Sequence, residues 1–220
     1  MSPSAEKSTT RERLAAFLLR LRGNGILDAG LLKAVEATPL GDFVPIEQQG
    51  LVWSDRPLPL PVGQMMHSPD LVVEMVQALD LTPNYSVLEI GTGSGFQTAL
   101  LARLSKKVHS IDRYQTLLDS ARQRTERLGL ANITFAKADG MSADMSDVLY
   151  DRIIADVAFP TIPRHLLDRL AAGGVAIAVI GEAGSEQSLV KLTKIGSRFE
   201  REDLRSVRFC AIEHGVASSL

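Results

Sequence analysis

The sequence predicts an α/β domain: a doubly wound, mostly parallel sheet with a C-terminal antiparallel hairpin and a small N-terminal helical and loop extension. Three observations carry that prediction. Between residues 70 and 180, short apolar runs alternate with helical periodicities, the pattern of βαβ units. Within it, Val87-Leu88-Glu89-Ile90 runs straight into Gly91-Thr92-Gly93-Ser94-Gly95 and a helical stretch from Phe96. Such a strand, glycine turn and helix present a nucleotide-like cofactor in a Rossmann-like sheet. Finally, 220 residues with 45% apolar and 23% charged side chains suffice for a sizeable core of ordinary globular composition.

The elements follow in order. Thr9-x-x-Glu12 reads as a capping box opening a helix that buries Leu14, Phe17, Leu18 and Leu21. Asp28 caps a second helix burying Leu31, Leu32 and Val35. Pro39, Pro45, Pro57, Pro59, Pro61 and Pro69 then exclude a long helix or a central strand, and a connection of that length is usually a lid or a binding loop. Residues 1–69 are therefore expected to supply N-terminal helices and a covering loop, and residues 70–220 the cofactor-binding domain, the two forming one compact unit. After Pro69, the apolar set Leu71, Val72, Met75, Val76 and Leu79 marks a helix. Strands are expected at Ser86–Ile90, Val108–Ile111, Ile133–Ala136, Arg152–Ala155 and Val175–Ile180, with helices near Phe96–Leu104, Tyr114–Leu128 and Ile162–Leu170. Gly129 and Gly173-Gly174 stand where helix ends belong. Two strand-like pieces near Leu189–Lys194 and Leu204–Ile212, turning at Gly196, make the edge hairpin.

Composition narrows the partners. A formal net charge of −2 leaves no electrostatic footprint for nucleic acid or an anionic membrane. No apolar run approaches the ~18 residues that span a bilayer, and the first residues lack the apolar stretch of a signal peptide. Cys210 is the single cysteine, which excludes an intrachain disulfide and a cysteine-based zinc site and points to the cytoplasm. No metal is expected. In the apolar context Val207–Ile212, Cys210 itself is expected to be a buried, inert thiol. Nothing in the sequence sets an oligomeric state.

The glycine turn also indicates which cofactor. Glu89 stands two residues before the first glycine, where a carboxylate repels a pyrophosphate and attracts a cation. S-adenosylmethionine, with its sulfonium and free amino group, is such a cofactor, and S-adenosylhomocysteine is its product. The glycines fall at 91, 93 and 95, with Phe96 where a dinucleotide fingerprint has its third glycine, and no Gly-Lys-Ser/Thr closes a P-loop. Cofactor contacts are expected from Glu89, Ile90, Gly91, Thr92, Gly93, Ser94, Gly95 and Gln97, joined by Gln64 and Met66 from the preceding loop. Met65 and Met66 read also as packing under that loop. Asp112, 21 residues after Gly91 and followed by Arg113, is placed to accept hydrogen bonds from ribose hydroxyls; the alternative is a solvated strand end. Ala138-Asp139-Gly140 suits an adenine amine, or is an ordinary Asp-Gly turn. Asp156, ending the fourth strand, either binds a substrate amine or caps its loop.

These residues resemble the protein-L-isoaspartate O-methyltransferase family over nearly the whole chain. The resemblance is carried by Glu89–Thr98 with its Phe96-Gln97-Thr98, by Ala138-Asp139-Gly140, Ile162-Pro163, Leu170–Gly174, Val207-Arg208-Phe209, Phe43-Val44 and Leu58–Gln64. It implies methylation, from S-adenosylmethionine, of the α-carboxylate of L-isoaspartyl residues in damaged proteins, a protein-repair reaction. Its partner is an isoaspartyl-bearing protein or peptide. The chain departs from the family pattern Gly-Gln-Thr-Ile-Ser-x-Pro, having Gly63-Gln64-Met65-Met66-His67-Ser68-Pro69. His67 takes the serine position, beside the reacting carboxylate in the family, and Ser68 comes one residue late. Asp156 replaces a threonine, Phe159 a proline and Leu40 an arginine. Candidate catalytic residues are thus His67, Ser68 and Asp156. Ser68 followed by Pro69 is equally an N-cap. His67 is either a solvated loop residue, a donor that orients an acceptor carboxylate, or a base for another acceptor. Besides the isoaspartyl reading, the sequence admits methylation of a hydroxyl, amine or small molecule, and a non-catalytic cofactor-binding module.

Overall fold

The computed structural model describes residues 3–142, 148–182 and 184–217. Helices α1 (Pro3–Gly23) and α2 (Ala29–Glu36) precede short 3-10 turns, a two-stranded ribbon of β1 (Leu58–Pro59) and β2 (Met65–Met66), and helix α3 (Pro69–Ala78). The main sheet begins with β3 (Ser86–Ile90), followed by α4 (Phe96–Leu104), β4 (Lys107–Asp112), α5 (Gln115–Arg127) and β5 (Ile133–Lys137). It continues with β6 (Tyr150–Phe159), α6 (Arg164–Asp168), β7 (Leu170–Ile180), β8 (Gln187–Ile195) and β9 (Arg198–Val207).

Local chemistry starts the short helices as the sequence predicts. Asp28 caps α2, its Oδ1 accepting from the Leu31 N–H at 2.6 Å. Ser68 caps α3, its Oγ accepting from the Leu71 N–H at 3.4 Å, with Pro69 at the first helical position. Three expectations change. Helix α1 starts at Pro3, so Thr9 lies inside it and is no N-cap. The proline-rich segment is folded into 3-10 turns and the β1–β2 ribbon. The helix expected over Ile162–Leu170 shrinks to α6, because Leu170 already pairs with Tyr150 in the sheet.

The sheet order is β5-β4-β3-β6-β7-β8-β9, parallel from β5 to β7 and antiparallel thereafter. The chain leaves β3 toward β4 and β5 on one side and returns to β6 and β7 on the other. That reversal opens a crevice at the carboxyl ends of β3, β4 and β6. Alternate residues feed two cores: Val87, Val108 and Ile154 pack with α2, α3 and α4, whereas Leu88, Ile90 and Ile153 pack with Leu166 of α6. The N-terminal part joins the first core. Phe43 meets Phe96 edge-on at 5.7 Å, and Arg20 of α1 forms a forked pair with Asp70 of α3 at 2.8 and 2.9 Å. Among the described residues no helix is long and apolar enough to cross a membrane.

The last strand ends at Val207, earlier than the pattern predicts, and residues 208–217 turn back as a strap over the crevice. Gln187 clamps it: Phe209 N–H donates to Gln187 Oε1 at 2.6 Å, and Gln187 Nε2 donates to the Phe209 carbonyl at 3.2 Å. The Ala158 N–H donates to the Cys210 carbonyl and the Ile212 N–H to the Ala158 carbonyl, at 2.9 and 2.8 Å. Further on, the Ala217 N–H donates to the Arg113 carbonyl at 3.1 Å, and Arg113 pairs with Glu213. Removing the clamp leaves buried backbone groups of Phe209 without partners, at about 1–3 kcal/mol each. Gln187→Ala is therefore expected to lower stability by about 2 kcal/mol in urea denaturation. It is also expected to speed amide exchange at 209–212; unchanged exchange there shows that the strap is held by other contacts.

Candidate active site

The site begins at the end of β3, where Glu89 is wholly buried. Its carboxylate accepts from Gln97 Nε2 at 3.0 Å, Thr98 Oγ1 at 2.6 Å and Ser110 Oγ at 2.5 Å. Burial pushes its pKa up to about 7 against the three donors, and the nearby negative Asp112 adds to the rise. The glycine turn folds over this network. The Gly91 N–H donates to the Ile111 carbonyl at 2.9 Å and Thr92 Oγ1 lies 2.6 Å from Ser110 Oγ. Gly95, at φ +85°, brings the turn against α5, where an added Cβ would stand 2.8 Å from that of Ala121. Arg124 adds a donor to the Ser94 carbonyl at 2.9 Å.

Above the turn lies a cavity of about 410 Å³. The structure brings Gln64, His67, Ile90, Gly91, Gly93, Asp112, Arg113, Ala138, Gly140 and Asp156 together around it. Asp112 is fixed by donors from Gly93 N–H at 3.1 Å and Tyr114 N–H at 2.9 Å, and burial raises its pKa against those hydrogen bonds. At Gly140 a Cβ would stand 2.6 Å from Ile90 and 3.2 Å from Ile212, so the wall there closes only because residue 140 has no side chain.

Other candidates lie elsewhere. Glu89, Thr92, Ser94, Gly95 and Gln97 lie outside the lining. The carboxylate expected to face a cation is turned into the hydrogen-bond network beneath the turn. Met66 is buried away from the cavity while Met65 lines it, as alternation along β2 requires. Ser68 spends its hydroxyl on the α3 cap. Asp139 is also outside the lining: its oxygens accept from Met141 N–H at 2.8 Å and, at 2.7 Å, from Gly215 N–H of the strap. His67 is buried rather than solvated, its ring stacked on Phe209 at 3.7 Å and its pKa pushed down to about 4 by burial. Cys210, expected to be buried, is exposed and lines the cavity, because the strap crosses the crevice instead of extending the sheet. The strap's Ala211, Ile212 and Glu213 also line it, and no sequence motif announced them.

The residues fit S-adenosylmethionine. Asp112 presents a fixed carboxylate at a strand end, suited to ribose hydroxyls. Ile111, Leu117, Ala138 and Ile212 give apolar walls for a base. Arg113 is the one arginine or lysine in the lining among the described residues, and Glu213 pairs with it, so the cavity favours a cationic ligand over a polyphosphate.

Comparison with known proteins agrees. Residues 12–217 match the family described as protein-L-isoaspartate(D-aspartate) O-methyltransferase. A protein-L-isoaspartate O-methyltransferase from Rhizobium meliloti is 41% identical over 202 residues, covering 92% of this chain and 99% of that protein. One from Xanthobacter autotrophicus is 40% identical over 220 residues, covering all of both. Among solved structures, a candidate enzyme of that name from Plasmodium falciparum, in complex with S-adenosyl-L-homocysteine, superposes with a TM-score of 0.78 at 20% identity. It covers 90% of this chain and 97% of that one. A second protein-L-isoaspartate O-methyltransferase superposes at 0.79 with 21% identity, covering 92% and 67%. At those identities the superpositions establish the fold.

Glu89 gives the site a pH signature. A carboxyl whose pKa is raised by folding, from about 4.5 to about 7, binds its proton more tightly folded than unfolded. Its stabilising contribution is complete below about pH 4.5 and is lost as pH rises through 7, an effect on the order of 3 kcal/mol. Denaturation of Glu89→Gln at pH 5 and pH 8 is expected to show a smaller difference than in the parent by up to that amount. Asp112 and Asp156, shifted in the same direction, leave a residual slope. Equal differences in the two proteins count against a raised Glu89.

Proposed function

The chain belongs to the protein-L-isoaspartate O-methyltransferase family, and on that premise we propose that it methylates the α-carboxylate of L-isoaspartyl residues in proteins and peptides, with S-adenosylmethionine as methyl donor. The observation that carries this reading is the cavity at the carboxyl ends of β3, β4 and β6, with Asp112 locked at its edge. Asp112 accepts from the ribose hydroxyls. Ile111, Leu117, Ala138 and Ile212 flank the base, with Gly140 narrowing the wall. Gly91, Gly93 and Gln64 line the remainder of the cofactor's space. Glu89, Thr92 and Gln97 act at one remove, holding the turn in shape.

When bound, the cofactor supplies an electrophilic methyl group on a sulfonium sulfur. The protein's part is to place the nucleophile and exclude water, and positioning of this kind supplies roughly 7–11 kcal/mol. An acceptor carboxylate is ionised at neutral pH and needs no general base. The β1–β2 ribbon and the strap provide the water-excluding walls, Met65 and Ile212 facing the cavity from opposite ends of the chain. A lone, unpaired Cys210 suits a reducing compartment, and we place the activity in the cytoplasm.

The parent protein is expected to form base-labile methyl ester on an isoaspartyl peptide and not on its aspartyl counterpart. Asp112→Ala is expected to weaken S-adenosylmethionine binding at least tenfold by calorimetry, and ester formation with it. A parent that binds the cofactor yet forms no ester overturns the reading.

A further inference from the structure

Cofactor binding leaves two side chains in the cavity wall unexplained. Asp156 sits where β6 has passed the end of β3: Ala155 still pairs with Ile90, and the register against β7 slips between Ile154 and Ala158. A break of this kind re-aims a side chain next to a site. Here it turns Asp156 toward the glycine turn, so that a Cβ on Gly91 would stand 3.3 Å from the Asp156 Cβ. The Asp156 Oδ1 is buried and has no hydrogen-bond partner. His67 Nε2 stands 3.6 Å away, beyond hydrogen-bond reach, with its ring held flat against Phe209. Both residues line the cavity. Buried polar atoms are almost always paired, so an unpaired oxygen turned toward an imidazole nitrogen, in two side chains that both line a cavity, calls for an explanation.

We propose that His67 and Asp156 form the acceptor subsite: one of the two neighbouring side chains carries the proton that makes the pair net neutral and offers it, as a hydrogen-bond donor, to an oxygen of the acceptor carboxylate. This inference rests on the carboxylate reading of the site given above. The charges facing the pair fix its protonation. Glu89 of β3, once above its raised pKa of about 7, and Asp112 of β4 are negative neighbours of Asp156, and the one guanidinium in the lining, Arg113, is paired with Glu213. Burial and these neighbours push the Asp156 carboxyl well above its ordinary range, while burial pushes the His67 imidazole down to about 4. A proton lost from Asp156 would put a further negative charge beside Asp112 in the lining and Glu89 beneath it, so the pair keeps it. A neutral pair does not repel an incoming carboxylate. It is also a poor base, which disfavours amine or hydroxyl acceptors that must shed a proton. In the transfer, the acceptor oxygen forms its bond to the methyl carbon as the carbon–sulfur bond breaks, with the electron pair leaving on sulfur. No proton changes hands, and the pair remains a donor throughout.

The test is calorimetric titration of an isoaspartyl peptide, with blocked ends and no other titrating group, into protein saturated with S-adenosylhomocysteine between pH 6 and pH 8.5. In the parent, affinity is expected to fall at least fivefold as pH rises and the shared proton is lost. Asp156→Asn keeps an N–H donor without a titrating proton, and its affinity is expected to fall less steeply than the parent's, by no more than the titration of Glu89 near 7 contributes. Asp156→Ala is expected to bind the peptide at least tenfold more weakly at pH 6, with S-adenosylhomocysteine affinity serving as the check on folding. Parent affinity that is flat or rises with pH, or the same pH dependence in Asp156→Asn, overturns the inference. If the isoaspartyl peptide binds no tighter than its aspartyl counterpart at any pH, the carboxylate reading falls with it. Selective binding without the pH dependence overturns the pair alone.

Discussion

A carboxylate at the inner end of β3 ties together the parts from which the cavity is made. Glu89 lies in the first strand of the sheet, Ser110 opposite it in β4, and Gln97 and Thr98 in the first turn of α4. The Gly91–Gly95 turn spans the gap between those anchors, so its shape is set by donors converging on one buried acceptor. Burying a carboxyl is costly unless its oxygens are satisfied, and here three side-chain donors do so at 2.5–3.0 Å. The raised pKa of Glu89 is the cost that remains. What is gained is a rigid turn whose Gly91 and Gly93 can present bare backbone to a ligand.

The cavity's other walls come from the two ends of the chain. The β1–β2 ribbon brings Gln64 and Met65 to one side through a turn in which Val62 is held at φ +56°, a costly conformation for a β-branched residue. The strap brings Cys210 to Glu213 to the other side, tied to β6, β8, Arg113 and Asp139. Asp139 shows how closely site and closure are linked: a residue at the end of β5 spends one carboxylate oxygen on the strap backbone. Rigid strands therefore position the floor, while segments remote in sequence close over it.

Features governed by local chemistry were legible in the sequence. The strand cores, α4, the caps at Asp28 and Ser68, the hairpin turn at Gly196 and the Asp112 position all follow from patterns within a few residues. Features decided by tertiary context were not. Leu204–Ile212 reads as one strand, yet β9 stops at Val207 because Gln187 captures the Phe209 backbone and redirects the chain, exposing Cys210. Glu89 reads as a strand-end charge facing a ligand, yet alternation along β3 puts it on the α4 side, where Thr98 and Gln97 await it. Met65 and Met66 cannot be told apart as ligand and packing until the ribbon's faces are assigned. His67 reads as a loop residue because nothing local reveals that Phe209, 142 positions later, covers its ring.

The two departures at His67 and Asp156 make physical sense only together. A carboxylate at position 156 alone would add a third acid beside Glu89 and Asp112, in a wall that must receive an anionic acceptor. An imidazole at position 67 alone would bury a polar ring nitrogen with nothing opposite it. Side by side they remove the first cost, since one proton suffices to make the pair neutral whichever residue carries it, and the hydrogen bond that the 3.6 Å gap leaves unmade is the one an acceptor oxygen can supply. Phe209 supplies the apolar surface that keeps water from them, and the register break in β6 supplies the approach. The strap therefore has a second role beyond enclosing the cavity: by seating Phe209 on His67 it maintains the low-dielectric setting in which the pair retains its proton, and the clamp at Gln187 is what seats it. On the proposed pairing, acceptor recognition at the carboxyl end of β6 thus depends on hydrogen bonds made from β8, two strands away.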